Sequence, residues 1–328
     1  MMKLKKLILD TDPFACKALN NWEYDKNTLR FFRGSSNFIY DFKYNNARYF
    51  LRLTNKEDKS LEQIYAEREY LLYLRDNNYN SCYLVKSKSG NYVETIETKE
   101  GIFYAVVFNE VKGKTLDINE MTEKQFEKWG ESLGKLHYLS MGYTLIKNLR
   151  KSYKDTFCFI EEILSEALNE DDAKKELENL RKYFSTLQID DSNYGLIHYD
   201  FELDNVFWDE KKNEFNVIDF DDSMYHWYVM DIVCGLRDLE SMNEKKSKLA
   251  FKSFIKGYEK YKKIDKKLLD RIDLFDRFEK LYRFTRLLRS LKDSDFKQKP
   301  DWLKVVRPKL LKVSNELREG FKKYTYES

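Results

Sequence analysis

The stretch "NVFWDEKKNEFNVIDF", residues 205 to 220, constrains the fold of this chain more than any other. Two short strand-like runs, "NVFWD" and "EFNVIDF", flank the polar "EKKN", which is the pattern of a β-hairpin. With the turn centred between Lys211 and Lys212, antiparallel pairing sets Asn205 opposite residue 218. Asn205 and Asp219 then emerge side by side at the open end of the ribbon. Asp200 lies on the loop just before the first strand. The surrounding segment, 195–222, holds six Asp and three Glu among large apolar residues, an arrangement that packing alone does not ask for. Asp209, Glu210 and Asp222 read as ordinary solvated turn residues.

An amide oxygen and a carboxylate meeting at one point suit a hard divalent cation such as Mg²⁺, which prefers oxygen ligands and substrate phosphates. A neighbouring Asp can accept a proton from a hydroxyl. The order His198-x-Asp200-x₄-Asn205, followed by a strand-borne Asp219, is that of a kinase catalytic loop. The expectation is therefore Asp200 as catalytic base, Asn205 and Asp219 as Mg²⁺ ligands, and ATP as phosphoryl donor. For His198, a structural brace on the loop is the preferred reading over a catalytic histidine.

Around this island the chain divides in two. Residues 29–54 alternate, are rich in aromatics, and are cut into strands by turn signals at 34–37 and 45–46. Residues 58–76 have helical spacing, and 91–111 read as two more strands joined at Lys99-Glu100-Gly101. From Thr122 onward helical patterns dominate, at 151–190, 243–290 and 303–324. The expected architecture is α+β and bilobal: a small antiparallel β-sheet lobe, residues 1–110, followed by a larger, mostly helical lobe, 111–328. Phe251, Phe254, Ile255, Tyr258 and Tyr261 repeat at helical spacing and are expected in the core.

The first lobe holds candidates for a nucleotide site. Gly34, Ser35 and Ser36 occupy a hairpin turn whose small residues let backbone N–H groups approach phosphates, though G-x-G-x-x-G is absent. Ile64, Glu67, Leu71 and Leu74 share one helix face, so Glu67 sits in an apolar stripe where an unpaired carboxylate is costly. Pairing with Arg52 resolves that cost in the manner of a kinase Lys–Glu pair; the alternative puts Glu67 at the solvated edge of the stripe. The backbone near Phe108, Glu110 and Val111 is expected to meet an adenine edge.

Composition excludes other classes. The 42% apolar and 16% aromatic content rules out a disordered chain, and a net charge of +3 gives no case for nucleic acid or a polybasic membrane surface. No run approaches the ~18 apolar residues of a membrane span. Four scattered cysteines read as reduced, mostly buried thiols in a cytoplasmic protein.

"HYDFELDN" followed by "VIDFDD" resembles the catalytic and metal-binding motifs of the aminoglycoside phosphotransferase and choline kinase superfamily, small-molecule kinases with a protein-kinase-like fold. "ESLGKLHYLS" (131–140), which supplies His137, resembles the family's helix upstream of the catalytic loop. "YHWYVMDI" (225–232) resembles the segment after the metal Asp, where the resemblance implies that Asp231 supports the loop. It likewise implies that Arg52 contacts the α/β-phosphates. The chain departs from the usual "HGDLHPGN" at Tyr199, Glu202 and Asp204, which stand in place of Gly, His and Gly.

The implied activity is ATP- and Mg²⁺-dependent transfer to a hydroxyl of a small amino acid, amino alcohol or aminoglycoside-like compound. A protein kinase and a non-catalytic nucleotide-binding regulator are the alternatives; against the first stand the reduced Gly-rich loop and the missing DFG and APE sequences. Candidate acceptor contacts are Glu202, Trp227 (with Tyr225 and Tyr228 as an aromatic cage), Arg283 and Arg286. A solvated basic face is the preferred reading of the helix carrying Tyr282, Arg283 and Arg286.

Overall fold

Turn chemistry sets the sheet. In the computed structural model, which describes residues 9–144, 150–292 and 301–324, Asn45 and Asn46 both adopt positive φ, 51° and 62°. That conformation closes the tight hairpin between β2 (Phe38–Tyr44) and β3 (Ala47–Asn55). β1 (Arg30–Gly34) pairs with β2. β6 (Gly101–Asn109) pairs with β3, with β5 (Glu94–Thr98) and with the short β4 (Leu84–Val85), every pairing antiparallel. The strand order is β1-β2-β3-β6-β4, with β5 also on β6.

The two-residue alternation of strands divides the sheet's side chains between two cores. Leu51, Leu53, Phe103, Ala105 and Val107 pack with Phe14 and Leu19, which come from α1 (Asp12–Leu19). On the opposite face Tyr104 and Val106 meet Ile64 of α2 (Leu61–Asp76), whose start is fixed by a Ser60/Gln63 capping box. Arg52 and Thr54 alternate with Leu51 and Leu53, so they project to the α2 side. All four residues of the expected α2 stripe, Glu67 included, are buried.

The second half is helical, with two small ribbons. Its helices are α3 (Glu123–Met141), α4 (Tyr153–Ser165), α5 (Asp171–Phe184), α6 (Val229–Leu236), α7 (Glu244–Tyr258), the one-turn α8 (Lys266–Leu269), α9 (Ile272–Leu291) and α10 (Asp301–Phe321). The ribbons are β7 (Tyr194–Ile197) with β10 (Met224–Trp227), and β8 (Val206–Asp209) with β9 (Glu214–Val217). The second is the hairpin read from sequence, with Val206 opposite Val217 and Asp209 opposite Glu214. α3 and α7 lie in close contact because Gly130 and Gly257 remove side chains from the crossing; a methyl at either would overlap a backbone carbonyl of the other helix.

Three local expectations need correction. The amphipathic stretch 151–190 is two helices, turned at Asn169 with φ of 59°. Tyr261 follows the end of α7 and is exposed, whereas Phe254 and Tyr258 are buried. Of the cysteines only Cys82 and Cys234 are buried; Cys16 and Cys158 are exposed, and all four are free thiols. No helix among the described residues is long and apolar enough to cross a membrane.

Candidate active site

One fully buried carboxylate organises the loop between β7 and β8. Asp231, in the first turn of α6, accepts hydrogen bonds from the backbone N–H of His198 (2.7 Å) and of Tyr199 (2.6 Å). It also bonds the Nε2 of His137 on α3, at 2.9 Å. His137 Nδ1 meets the Tyr258 hydroxyl at 2.9 Å, and burial holds the imidazole below its ordinary pKa, so it is neutral. A neutral ring with Nε2–H donating to Asp231 and Nδ1 accepting from Tyr258 satisfies every partner.

His198 is fully buried and braces the loop from within. Its Nδ1 accepts from the Asp200 backbone N–H at 3.2 Å, which leaves Nε2–H to donate to the Ile218 carbonyl at 2.9 Å. Burial lowers its pKa, in keeping with that neutral tautomer. The ring thereby ties the Asp200 loop to the residue preceding Asp219. With these contacts Tyr199 is held at φ of 70°, a conformation unusual for a bulky residue and costing about 1–3 kcal/mol.

Asn205 and Asp200 are in direct contact. The Asn205 amide donates to the Asp200 carboxylate at 2.8 Å and to its carbonyl at 2.9 Å. With Nδ2 committed there, Oδ1 is the atom left to face a cation. The Ile218 N–H donates to the Asn205 carbonyl at 2.9 Å, so the hairpin register delivers Asp219 to the same end of the ribbon. Asp219 itself has φ of 64°, another left-handed non-glycine residue at the site. Burial, then the like charges of Asp221 and Asp200, push its carboxyl up to about 7. Arg33 Nη2 lies 3.4 Å from that carboxylate, and Arg52 partly offsets the rise.

The sheet supplies cations nearby. Arg52 and Glu67 form a buried two-point ion pair, with Nη1 to Oε1 at 2.8 Å. Arg52 also lies 3.3 Å from Asp221, and Lys59 Nζ lies 2.7 Å from it. Burial alone would raise Asp221, but Lys59 and Arg52 hold it at about 2. Asn37 bonds both Asp221 and Thr54, so the first hairpin is fastened to the end of the second. Asp222, read from sequence as a solvated turn residue, is instead paired with Arg286 of α9 at 2.8 Å. The correction follows from α9 turning its basic face inward: Tyr282, Arg283 and Arg286 line the cavity rather than facing solvent.

That cavity, of about 760 Å³, runs between the sheet and the helices. Phe50, Phe108, Val111, Phe207 and Ile218 line it on the side of the segment linking the two halves; Asp200, Asp219 and Asp221 are on its wall. Beyond Asp200, Glu202 and Glu279 share one guanidinium, with Arg237 at 2.6 Å and 3.1 Å respectively. Burial pushes Glu202 up to about 7 against the pull of Arg237, with Asp200 and Glu279 adding to the rise.

Among the candidates named from sequence, Ser35, Ser36, Arg52, Glu67, Phe108, Glu110 and Val111 line this cavity, while Gly34 pairs with Phe38 behind the turn and does not. Glu110 is ion-paired with Arg48 at 3.1 Å. Trp227 is not an acceptor contact: it is fully buried among Tyr153, Phe184 and Phe275, and its indole N–H donates to the Gln188 carbonyl. Its strand turns the ring into the helical core, away from the cavity. Arg237, Glu279, Lys59 and Asn37 escaped sequence reading, since nothing in their local pattern reveals that distant elements meet there. Asp221 was visible in "DFDD", but only the turn after β9 decides which acids point inward.

The profile of the APH phosphotransferase enzyme family matches residues 28–264. The chain belongs to that family. It is 26% identical over 231 residues to the amicoumacin kinase of Bacillus subtilis (strain 168), covering 69% of this chain and 68% of that one. Among solved structures, an amicoumacin kinase in complex with AMP-PNP, Ca²⁺ and Ami superposes with a TM-score of 0.81 at 19% identity, over 96% of this chain and 95% of the other. A microcompartment-associated aminopropanol kinase gives 0.71 at 20% identity, over 95% and 97%. The choline kinase LicA from Streptococcus pneumoniae gives 0.62 at 15%, over 95% and 98%. The enzyme is thus a phosphotransferase with a protein-kinase-like fold, and of the readings open from sequence the small-molecule kinase is the one its family supports.

Proposed function

We propose that this phosphotransferase moves the terminal phosphoryl group of ATP to a hydroxyl of a small, amine-bearing compound in the cytoplasm. The observation that carries the reading is the contact of Asp200 with Asn205 at one end of a hairpin that brings up Asp219. Asp200 accepts the proton of the acceptor hydroxyl as its oxygen bonds to phosphorus and the bond to ADP breaks. Residues 1–110 act as the nucleotide lobe and 111–328 as the acceptor lobe.

The donor set fits Mg²⁺. Asn205 Oδ1 and the Asp219 carboxylate are hard oxygens at one end of the hairpin, the ligand type that Mg²⁺ prefers. Mg²⁺ takes one or two protein ligands and completes its shell with phosphates and water. When bound, the ion offsets charge on the transferring group. Arg52, held by Glu67, stands ready for the α/β-phosphates, and Ser35 and Ser36 cover them. In the linking segment the N–H groups of Asn109 and Glu110 are taken by the carbonyls of Tyr83 and Arg48. The Val111 N–H is therefore the donor for an adenine edge.

Glu202 and Glu279 share Arg237, so the acceptor end offers carboxylates, beside the inward-facing Arg283 and Arg286, to an amine near the reacting hydroxyl. The named relatives act on amicoumacin, aminopropanol and choline. ADP release should be measured with amicoumacin, 1-amino-2-propanol, choline and spectinomycin, with products identified by mass spectrometry. Asp200→Ala should lower kcat by about 10²–10⁴-fold. Undiminished turnover by that variant would overturn the assignment.

A further inference from the structure

Tyr199 combines features that its place in the loop does not require. It follows His198 and precedes the proposed base, at φ of 70°, where a glycine would be free of strain. Its backbone is held by the Asp231 bond, and that bond needs no side chain. Yet the ring is 5% exposed, packs edge-on to Tyr282 with centroids 5.6 Å apart, and lines the cavity. Its hydroxyl is buried and has no hydrogen-bond partner among the described residues. Burying a phenol oxygen without a partner is unfavourable, and such groups ask for an explanation.

A second orphan lies within its electrostatic reach. Glu279, 6% exposed, gives Oε1 to Arg237 while Oε2 is buried with no hydrogen-bond partner among the described residues; it too lines the cavity. Burial raises the Tyr199 pKa, with Glu279 among the contributors, so the phenol stays protonated and able to donate. Tyr199 and Glu279 both line the cavity, and a phenol donor with a carboxylate acceptor complements a group that carries an oxygen and an N–H or O–H together.

We propose that Tyr199 is an acceptor-selecting residue, whose hydroxyl works with Glu279 Oε2 as a two-point receptor for a polar group next to the hydroxyl that Asp200 activates. The group recognised is a hydroxy-amide or amino-alcohol unit. Selection arises because an acceptor without it leaves both buried atoms unsatisfied. The inference rests on the acceptor reading above.

The test compares wild type, Tyr199→Phe and Glu279→Gln, first without ligand and then with the same four acceptors. Tyr199→Phe should raise the melting temperature of the ligand-free protein, since it deletes an orphaned polar atom and keeps the ring. For whichever acceptor the wild type phosphorylates, it should raise the acceptor KM about 10-fold with little change in the KM for ATP. Glu279→Gln should raise the same KM. A lower melting temperature for Tyr199→Phe would show a structural hydrogen bond and overturn the proposal. So would an unchanged acceptor KM in an active variant. A wild type inactive on every acceptor would instead overturn the acceptor reading, and this inference with it.

Discussion

Replacing Asp231 by Asn tests whether one carboxylate holds the catalytic loop. The wild-type side chain accepts from three donors: two backbone N–H groups and the His137 imidazole. An amide of the same shape keeps one oxygen, which can serve Tyr199 N–H. Its NH₂ then faces His198 N–H and His137. The imidazole can shift its proton to Nδ1, donate to Tyr258 and accept from the new amide. The backbone N–H of His198 has no such freedom and is left opposed to a donor. One orphaned buried N–H costs about 1–3 kcal/mol, and two remaining bonds lose their charge assistance, for a total of roughly 2–4 kcal/mol. In a chain of this size that lowers the melting temperature by about 3–6 °C. Thermal melts report the loss directly, and the imidazole ¹⁵N shifts of His137 report the tautomer exchange. Activity should fall at least about tenfold, because Asp200 is two residues from the released N–H. A melting temperature within about 1 °C of wild type, with His137 still protonated at Nε2, would refute the clamp.

Removing the partner of Arg52 is a second test. Glu67→Ala leaves that buried guanidinium with Asp221 alone; it should cost about 3 kcal/mol in urea melts and raise the KM for ATP. An unaltered KM for ATP would detach the pair from the nucleotide. Gly257→Ala drives a methyl into the α3 carbonyls and should destabilise by about 1–3 kcal/mol, read from the urea midpoint. For Glu202, whose folded carboxyl titrates near 7 against an ordinary 4.5, the folded state binds the proton more tightly than the unfolded one. Its contribution to stability is therefore greatest in acid and declines as pH rises from about 4.5 to about 7. Glu202→Gln should flatten the pH dependence of melting in that window; an identical slope in both proteins would place the titration elsewhere.

Much of the fold was legible because its signals are local. Turn residues such as Asn45-Asn46 and the polar tip 210–213 set hairpin registers within a few residues, and the register of β8 and β9 follows from counting outward from Lys211. The α2 stripe exposed Glu67 as a carboxylate in apolar company. The single alternation of β3 put Arg52 on the face that meets it. Helix ends inside long polar stretches were less legible, as the division of 151–190 shows, because amphipathic spacing continues across the break.

By itself, then, the amino-acid sequence determined the order of Asp200, Asn205 and Asp219 and the hairpin that gathers them, since these lie within twenty residues and depend on backbone pairing. Only the tertiary structure decided which acids are paired, which arginines face inward, and that Trp227 belongs to the core. Asp222 meets Arg286, and Glu202 meets Arg237 and Glu279, across elements far apart in the chain. Desolvation and charge depend on what surrounds a group in three dimensions. The acceptor end of the cavity is therefore a property of packing, written by α6 and α9 around a loop whose own residues name the chemistry.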